Sequence, residues 1–132
     1  MHPVEKKLQF KEGTRLLILN LPESLKELVA AWSWVTVFQE KLPEGVNQAD
    51  AMLVFVQKEE DVKAAAEVLN HHLAHDGLLW FSYPKKTSKR YTSEITRDHG
   101  WDALTAVRLR PVRQVAIDED WSALRWRPDP NA

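Results

Sequence analysis

The most informative stretch of the sequence is Gly77-Leu78-Leu79-Trp80-Phe81-Ser82-Tyr83-Pro84-Lys85-Lys86-Thr87-Ser88-Lys89-Arg90. Its apolar and aromatic first half ends at a proline, and its second half is a basic segment rich in hydroxyl groups. A short apolar run bounded by turn residues is typical of a buried strand, here over residues 78–83. The sequence therefore predicts a strand that carries a cationic loop to the surface.

Three more strands are predicted before this one. Residues 15–19 carry a continuous apolar run, which is typical of a strand buried on both faces. Residues 34–38 are β-branched and aromatic, and residues 51–56 are again apolar throughout. Pro43 and Gly45 mark a loop between the second and third strands, and no regular structure is expected there before residue 50.

Helices are predicted between and after these strands. Apolar residues at helical spacing follow the first strand over residues 21–32 and recur over residues 59–75. Gly77 lies where a helix commonly ends in the left-handed conformation, so we expect it to end the longer helix. A third helical region is predicted over residues 92–107, with Gly100 able to break or bend it.

The end of the chain predicts a hairpin. Residues 112–117 and 121–127 form two strands joined by the short polar turn Asp118-Glu119-Asp120, which is too short for a parallel crossover. Together with the preceding alternation of strands and helices, this predicts an α/β fold. We expect a three-layer Rossmann-like sandwich, in which a mostly parallel six-stranded sheet ends in a C-terminal antiparallel hairpin.

Length and composition limit the possible classes of protein. A chain of 132 residues is long enough for one domain with its own core, and we expect a single domain over residues 1–132 with loose ends at 1–12 and 128–132. The absence of cysteine excludes disulfides and thiolate chemistry. The sequence contains neither a secretion signal nor the roughly 20-residue apolar run of a membrane helix, so a cytoplasmic location is expected.

The second half of the chain resembles a known family. The segments 79–88 and 96–104, together with 109–118 and 121–125, look like a family of small bacterial proteins known only as a domain of unknown function. The resemblance covers most of the chain and implies the α/β fold. It brings no established activity, cofactor or site with it.

The architecture also resembles that of the class I methyltransferases. This resemblance implies the sheet order 2-1-3-4-6-5, with the sixth strand antiparallel between the fourth and fifth. Those enzymes bind S-adenosylmethionine with a glycine-rich turn after the first strand, and this chain has Asn20-Leu21-Pro22 there. They also have an acidic residue at the end of the second strand, a position occupied here by Phe38-Gln39, with Glu40 nearby. We therefore expect no usable adenosylmethionine site and no cofactor.

A ligand site is predicted at the carboxyl ends of the strands, where open α/β sheets bind their ligands. The residues expected to form it are Asn20, Tyr83, Lys85, Lys86, Lys89 and Arg97. Cations and hydroxyl groups that converge on a crevice suit a small anion such as a phosphate or a carboxylate. A solvated loop with no ligand is the alternative interpretation. His71 and His75 share a helix face but lack a third ligand, so no metal site is predicted.

These observations favour a non-catalytic module that binds a small anionic ligand or a protein partner at the carboxyl ends of the strands. One alternative is a degenerate or unrecognised methyltransferase-like enzyme. Another is a protein-interaction role for the tryptophan-rich hairpin, through Trp101, Trp121 and Trp126. The sequence leans away from enzymatic activity, and the net charge of −1 argues against nucleic-acid binding.

Overall fold

The computed structural model describes residues 2–131, which form one six-stranded sheet of order β2-β1-β3-β4-β6-β5. The strands are β1 (Arg15–Leu19), β2 (Thr36–Gln39), β3 (Ala49–Phe55), β4 (Leu73–Pro84), β5 (Leu109–Ala116) and β6 (Trp121–Pro128). β1 to β4 pair in parallel, and β6 is antiparallel to both of its neighbours, β4 and β5. The predicted fold class, the sheet order and the place of the sixth strand are confirmed.

Helices cover both faces of the sheet. They are α1 (Pro3–Lys7), a 3-10 turn (Glu23–Leu25) that leads into α2 (Lys26–Ala30), α3 (Glu59–His72) and α4 (Asp102–Ala106). Because side chains alternate along a strand, Leu17 and Met52 join the core under α3 and α4, whereas Leu16 and Leu53 join the core under α1 and α2. We call these two sides the α3 face and the α1 face. No helix within residues 2–131 has the length and apolarity needed to span a membrane.

The N-terminal segment was expected to be loose over residues 1–12, but its described part is packed against the α1 face. Val4, Leu8 and Phe10 are buried, and the Trp80 indole Nε1 donates a hydrogen bond to the Leu8 carbonyl at 3.0 Å. The segment was expected to be loose because most of its residues are polar, but these three apolar side chains pack into the core. The segment therefore contributes three side chains to the core.

Glu5 fixes this segment in place. Its side chain is fully buried, and its carboxylate accepts hydrogen bonds from the backbone N–H groups of Ser33, Trp34 and Val35 at 2.8–3.2 Å, and from that of His2 at 2.9 Å. Burial on its own raises the pKa of Glu5, but the four donors outweigh burial and hold the pKa below its ordinary value. The carboxylate therefore stays ionised and organises the approach to β2.

The junction between α3 and β4 differs from the prediction. The helix ends at His72 rather than at residue 75, and β4 begins at once at Leu73, which pairs with Ala49 of β3. Pairing with β3 outweighs the helical pattern in these last residues. Asp76, with φ of 60°, takes the left-handed conformation expected of Gly77. A glycine is needed at Gly77 for a different reason, because a Cβ there would lie 2.9 Å from a backbone carbonyl oxygen.

The third predicted helix is also much shorter than expected, since only Asp102–Ala106 is helical. The preceding segment is a loop in which the Ser93 hydroxyl bonds both the N–H and the carbonyl of Ile95, at 2.9 and 2.8 Å. Serine side chains that bond the backbone in this way compete with helix formation. Gly100, with φ of 99°, ends the loop in a conformation that a helix does not allow.

The fifth strand begins earlier than predicted and contains Pro111. Proline lacks the N–H that an inner strand needs, but β5 lies at the edge of the sheet and tolerates it. The register between β5 and β6 shifts between Pro111 and Arg113, which marks a β-bulge at Val112.

Candidate functional site

A crevice of about 360 Å³ opens at the carboxyl ends of β1 and β3. The chain leaves β1 toward β2 on one side and reaches β3 on the other, so the strand order reverses at this point. The lining residues are Asn20, Pro22, Glu23, Phe55, Gln57, Asp61, Tyr91 and Trp121. We call this feature the switch-point crevice. It lies at the sheet edge where the sequence predicted a ligand site.

Asn20 and Glu40 hold three strand ends together beside the crevice. The Asn20 side-chain Nδ2 donates to the Phe55 carbonyl at 3.1 Å, which ties the end of β1 to the end of β3. The Asn20 backbone N–H donates to Glu40 Oε1 at 2.6 Å, and the Glu40 N–H donates to the Ile18 carbonyl at 2.9 Å. An acidic residue therefore directly follows β2, contrary to the sequence-based expectation.

Asn20 also takes the backbone conformation that a glycine would supply. Its φ is 61°, in the left-handed region, which asparagine tolerates better than most residues with a side chain. The turn after β1 therefore forms without glycine. The difference from a glycine turn is the side-chain amide, which spans from β1 to β3.

One wall of the crevice is aromatic. The Trp121 ring lies 5.2 Å from that of Phe55 and 5.0 Å from that of Tyr91, measured between ring centroids. The Tyr91 hydroxyl shares a 2.6 Å hydrogen bond with Ser24 Oγ, which anchors it to the 3-10 turn before α2. Trp121 is buried, and its Nε1–H has no hydrogen-bond acceptor within residues 2–131. Phe55 is also buried, so Tyr91 is the partly exposed ring of this wall.

The other wall is the start of α3. Asp61 Oδ2 accepts the N–H groups of Gln57 at 2.9 Å and Lys58 at 3.1 Å, so its carboxylate caps the helix. The Gln57 carbonyl accepts the N–H of Glu94 at 2.8 Å, which fixes the loop after β4 against the same helix start. A wider groove of about 650 Å³ shares Gln57 and Asp61 with the crevice, and Lys58, Glu60, Thr92, Ser93 and Glu94 complete it.

Acidic groups outnumber basic ones in this region. Glu23 and Asp61 line the crevice, and Glu60 and Glu94 line the groove, whereas Lys58 is the one cation among the residues that line either. An excess of carboxylates concentrates negative potential in a cleft. The region is therefore suited to a cationic ligand and not to the small anion expected from the sequence.

The predicted site residues do not come together in the crevice. Asn20 lines it, but Tyr83 is buried on the α3 face, where burial raises its pKa and its hydroxyl accepts a 2.9 Å hydrogen bond from Gln114 Nε2. Lys85, Lys86 and Lys89 follow β4 in a loop and do not line the crevice. Arg97 is exposed and lies 3.4 Å from the Asp98 carboxylate, at a separate hollow beside Trp101.

The tryptophans of the hairpin region are core residues. Trp101, Trp121 and Trp126 are only 6%, 1% and 3% exposed, and the Trp101 and Trp126 rings lie 5.1 Å apart. They pack the hairpin against α3 and α4 or against the crevice wall. The exposed aromatic surface considered for a protein-interaction role is not present in residues 2–131.

The comparisons with known proteins converge on one fold. No family model and no curated protein matches the sequence. Among solved structures, an S-adenosylmethionine-dependent methyltransferase from Aquifex aeolicus is 15% identical, with 93% of this chain and 86% of that chain covered and a TM-score of 0.58. Aeropyrum pernix fibrillarin, solved with natively bound S-adenosyl-L-methionine, is 14% identical, with 89% and 67% covered and a TM-score of 0.55. The N-methyltransferase NodS from Bradyrhizobium japonicum is 16% identical, with 96% and 97% covered and a TM-score of 0.53.

These similarities confirm the resemblance to class I methyltransferases at the level of the fold. They do not support the interpretation as a non-catalytic binding module, because several structures that share this sheet are named as methyltransferases. The fold therefore agrees with the methyltransferase-like interpretation drawn from the sequence.

Proposed function

We propose that this chain is a methyltransferase-like domain that binds S-adenosylmethionine in the switch-point crevice. The observation that carries the proposal is the hydrogen bond from the N–H of Asn20, in a left-handed turn after β1, to the carboxylate of Glu40, directly after β2. Structures with this fold include proteins solved with S-adenosylmethionine or its demethylated product. The acidic residue directly after β2 was not expected from the sequence, and the turn after β1 takes a left-handed conformation although it contains no glycine.

The chemistry of the crevice fits this cofactor. S-adenosylmethionine carries a positive sulfonium and ammonium group, a ribose and an adenine ring. Glu40, which lies beside the crevice, uses Oε1 for Asn20 and keeps Oε2 for hydroxyl groups or a cation. Glu23 adds a carboxylate in the lining, whose Oε2 also pairs with Lys26 at 2.7 Å. Tyr91, the partly exposed ring of the aromatic wall, supplies an apolar face against which an adenine ring can pack.

The cofactor, when bound, supplies a methyl group on a positively charged sulfur. The acidic crevice favours that cation over the neutral thioether product, so the residues of the chain retain the reactant more strongly than the product. The adjoining groove has room for an acceptor and shares Gln57 and Asp61 with the crevice. Glu94 Oε1 accepts the N–H of Glu59 at 3.1 Å, which leaves Oε2 to hold a cationic acceptor or to take its proton.

Isothermal titration with S-adenosylmethionine tests the proposal. We expect saturable binding to the wild-type protein, and Glu40→Gln should weaken it by roughly 10- to 100-fold, the equivalent of one charge-assisted contact. Glu44→Gln is the matched control, since Glu44 is exposed in the loop after β2 and the charge change is identical. No saturable binding at millimolar concentration, or equal losses in both variants, would show that the crevice does not hold this cofactor.

A further inference from the structure

Four arginines lie together on the outer part of the hairpin. Arg110 of β5 is directly opposite Arg127 of β6, and Arg113 of β5 is directly opposite Arg125 of β6. Directly opposed residues of an antiparallel pair share one side of the sheet, so all four are on the α1 face, beside Ala123 and Val115. We call this group the arginine tetrad.

The β-bulge at Val112 creates the tetrad. Side chains alternate along a regular strand, so Arg110 and Arg113, three positions apart, would normally lie on opposite faces. The register shift between Pro111 and Arg113 adds one residue and turns Arg113 onto the same face as Arg110. The extra residue, Val112, is 41% exposed and contributes little to the core.

The tetrad has no acidic partner. Within residues 2–131, none of the four guanidinium groups has a carboxylate oxygen within 4.0 Å. Arg125 Nη1 donates to the neutral Gln9 Oε1 at 2.6 Å, and its buried Nε has no acceptor there. Partial burial lowers the pKa of Arg125, and the positive charges of Arg127 and Arg113 lower it further.

Like charges directly opposite each other destabilise a sheet. The fold carries this repulsion twice in adjacent cross-strand pairs, although the whole chain has a net charge of only −1. A bound polyanion would supply the missing counter-charge. We propose that the arginine tetrad binds the phosphate backbone of single-stranded nucleic acid.

Three features favour nucleic acid over an acidic protein. All four cations are arginines, whose planar forks match phosphate oxygens in pairs. Arg125 and Arg127 are two residues apart on β6, so the cations repeat along the strand about every 7 Å. The outer edge of β5 carries Pro111 and the bulge, which oppose addition of a strand from a protein partner.

The tetrad makes this contact without reading the bases. The aromatic residues of the hairpin, Trp121 and Trp126, are buried and offer no face for base stacking. Arg127 lies six positions after Trp121 on β6, a distance of about 20 Å along the strand from the crevice. The tetrad is therefore a separate surface, and the proposal does not rest on cofactor binding in the crevice.

Fluorescence anisotropy with a labelled oligouridylate tests this proposal over a range of salt concentrations. Four phosphate contacts predict a plot of log K against log[salt] with a slope of about −2.8. The double variant Arg113→Gln/Arg127→Gln should reduce the slope to about −1.4 and weaken binding at low salt by roughly tenfold or more. The control, Lys85→Gln/Lys86→Gln, removes the same charge from the loop after β4 and should leave the slope nearly unchanged.

The variants also separate binding from folding. The double glutamine variant relieves repulsion, so its melting temperature should equal or exceed that of the wild type while binding falls. If that variant does not fold, Arg113→Lys/Arg127→Lys is the alternative. It keeps both positive charges but removes the planar guanidinium groups that pair with two phosphate oxygens at once, so it should bind the oligonucleotide more weakly than the wild type does. The proposal would be overturned if Arg113→Gln/Arg127→Gln and the control Lys85→Gln/Lys86→Gln lost the same amount of binding affinity. It would also be overturned if polyglutamate competed as well as RNA at equal charge, because the partner would then be an acidic protein.

Discussion

Removal of the Glu5 carboxylate should destabilise the whole domain. Glu5→Ala leaves the N–H groups of Ser33, Trp34 and Val35 without their acceptor and breaks the N-terminal cap of α1 at His2. A buried donor left unsatisfied costs about 1–3 kcal/mol, and the three loop donors are only partly buried, so we expect a loss of about 3–4 kcal/mol in the free energy of unfolding. This is a large fraction of the stability of a typical domain.

Glu5→Gln should cost less, about 1.5–2.5 kcal/mol, because its carbonyl oxygen keeps part of the acceptor capacity.

The two variants also differ from the wild type in acid. The backbone donors hold the pKa of Glu5 below its ordinary value of 4.5 in the folded state. The stabilisation is therefore complete above the pKa of the unfolded chain and is lost as the pH falls through the lower, folded pKa. Both variants lack this carboxylate, so their free energy of unfolding should fall less steeply than that of the wild type as the pH is lowered.

Urea unfolding followed by tryptophan fluorescence, repeated from neutral pH down to about pH 3, measures both effects. Glu12→Ala is a suitable control, because Glu12 is exposed near the same segment and should change stability by less than about 0.5 kcal/mol. If Glu5→Ala stayed within that same margin, the N-terminal segment would not be docked as described. An unchanged acid response in Glu5→Gln would refute the role of the ionised carboxylate.

Three other substitutions test the backbone and the core by the same unfolding measurement. Asn20→Ala should lower the free energy of unfolding by about 2 kcal/mol, because it loses the hydrogen bond to β3 and places alanine in a left-handed backbone conformation. Asn20→Gly should lower it by about 1 kcal/mol less, because glycine adopts that conformation without strain. Equal values for the two variants would contradict the left-handed turn. Gly100→Ala should lower the free energy of unfolding by about 2–4 kcal/mol, because the backbone is left-handed there and the new Cβ would clash with a core side chain. Gly45→Ala is the control: its backbone is also left-handed but no atom of residues 2–131 lies near the new Cβ, so the loss should be about 1 kcal/mol. Ser82→Ala removes a buried 2.8 Å bond to the Ser122 carbonyl and should cost about 1–3 kcal/mol; no change would mean that water replaces it.

The strands were predictable because their signal is local. β1 is a continuous apolar run, and its predicted and observed bounds agree at 15–19. The place of β6 followed from the short turn before it and from the resemblance to the methyltransferases. The shorter third helix and the early start of β4 depend on contacts with distant residues, such as the pairing of Leu73 with Ala49, which no sequence window contains.

The candidate site was predictable in position but not in charge. Strand order placed it at the ends of β1 and β3, and Asn20 is there. The basic loop after β4 dominated the sequence pattern, whereas the carboxylates that line the region, Glu23, Asp61 and Glu94, come from three separate segments. Only Glu40 gave a local signal, because it lies two residues after the predicted end of the second strand at residue 38. Tyr91 and Trp121 reach the crevice through tertiary packing alone.

The position of β6 has a consequence for how the protein is made. Although β6 is the last strand in the chain, it lies inside the sheet, between β4 and β5. While the protein is being synthesised, the apolar edge of β4 stays unpaired and β5 has no partner until residues 121–128 leave the ribosome. Unpaired strand edges are prone to associate with other chains. A ribosome that stalls at the Asp118–Asp120 turn would therefore hold a nascent chain with an open sheet.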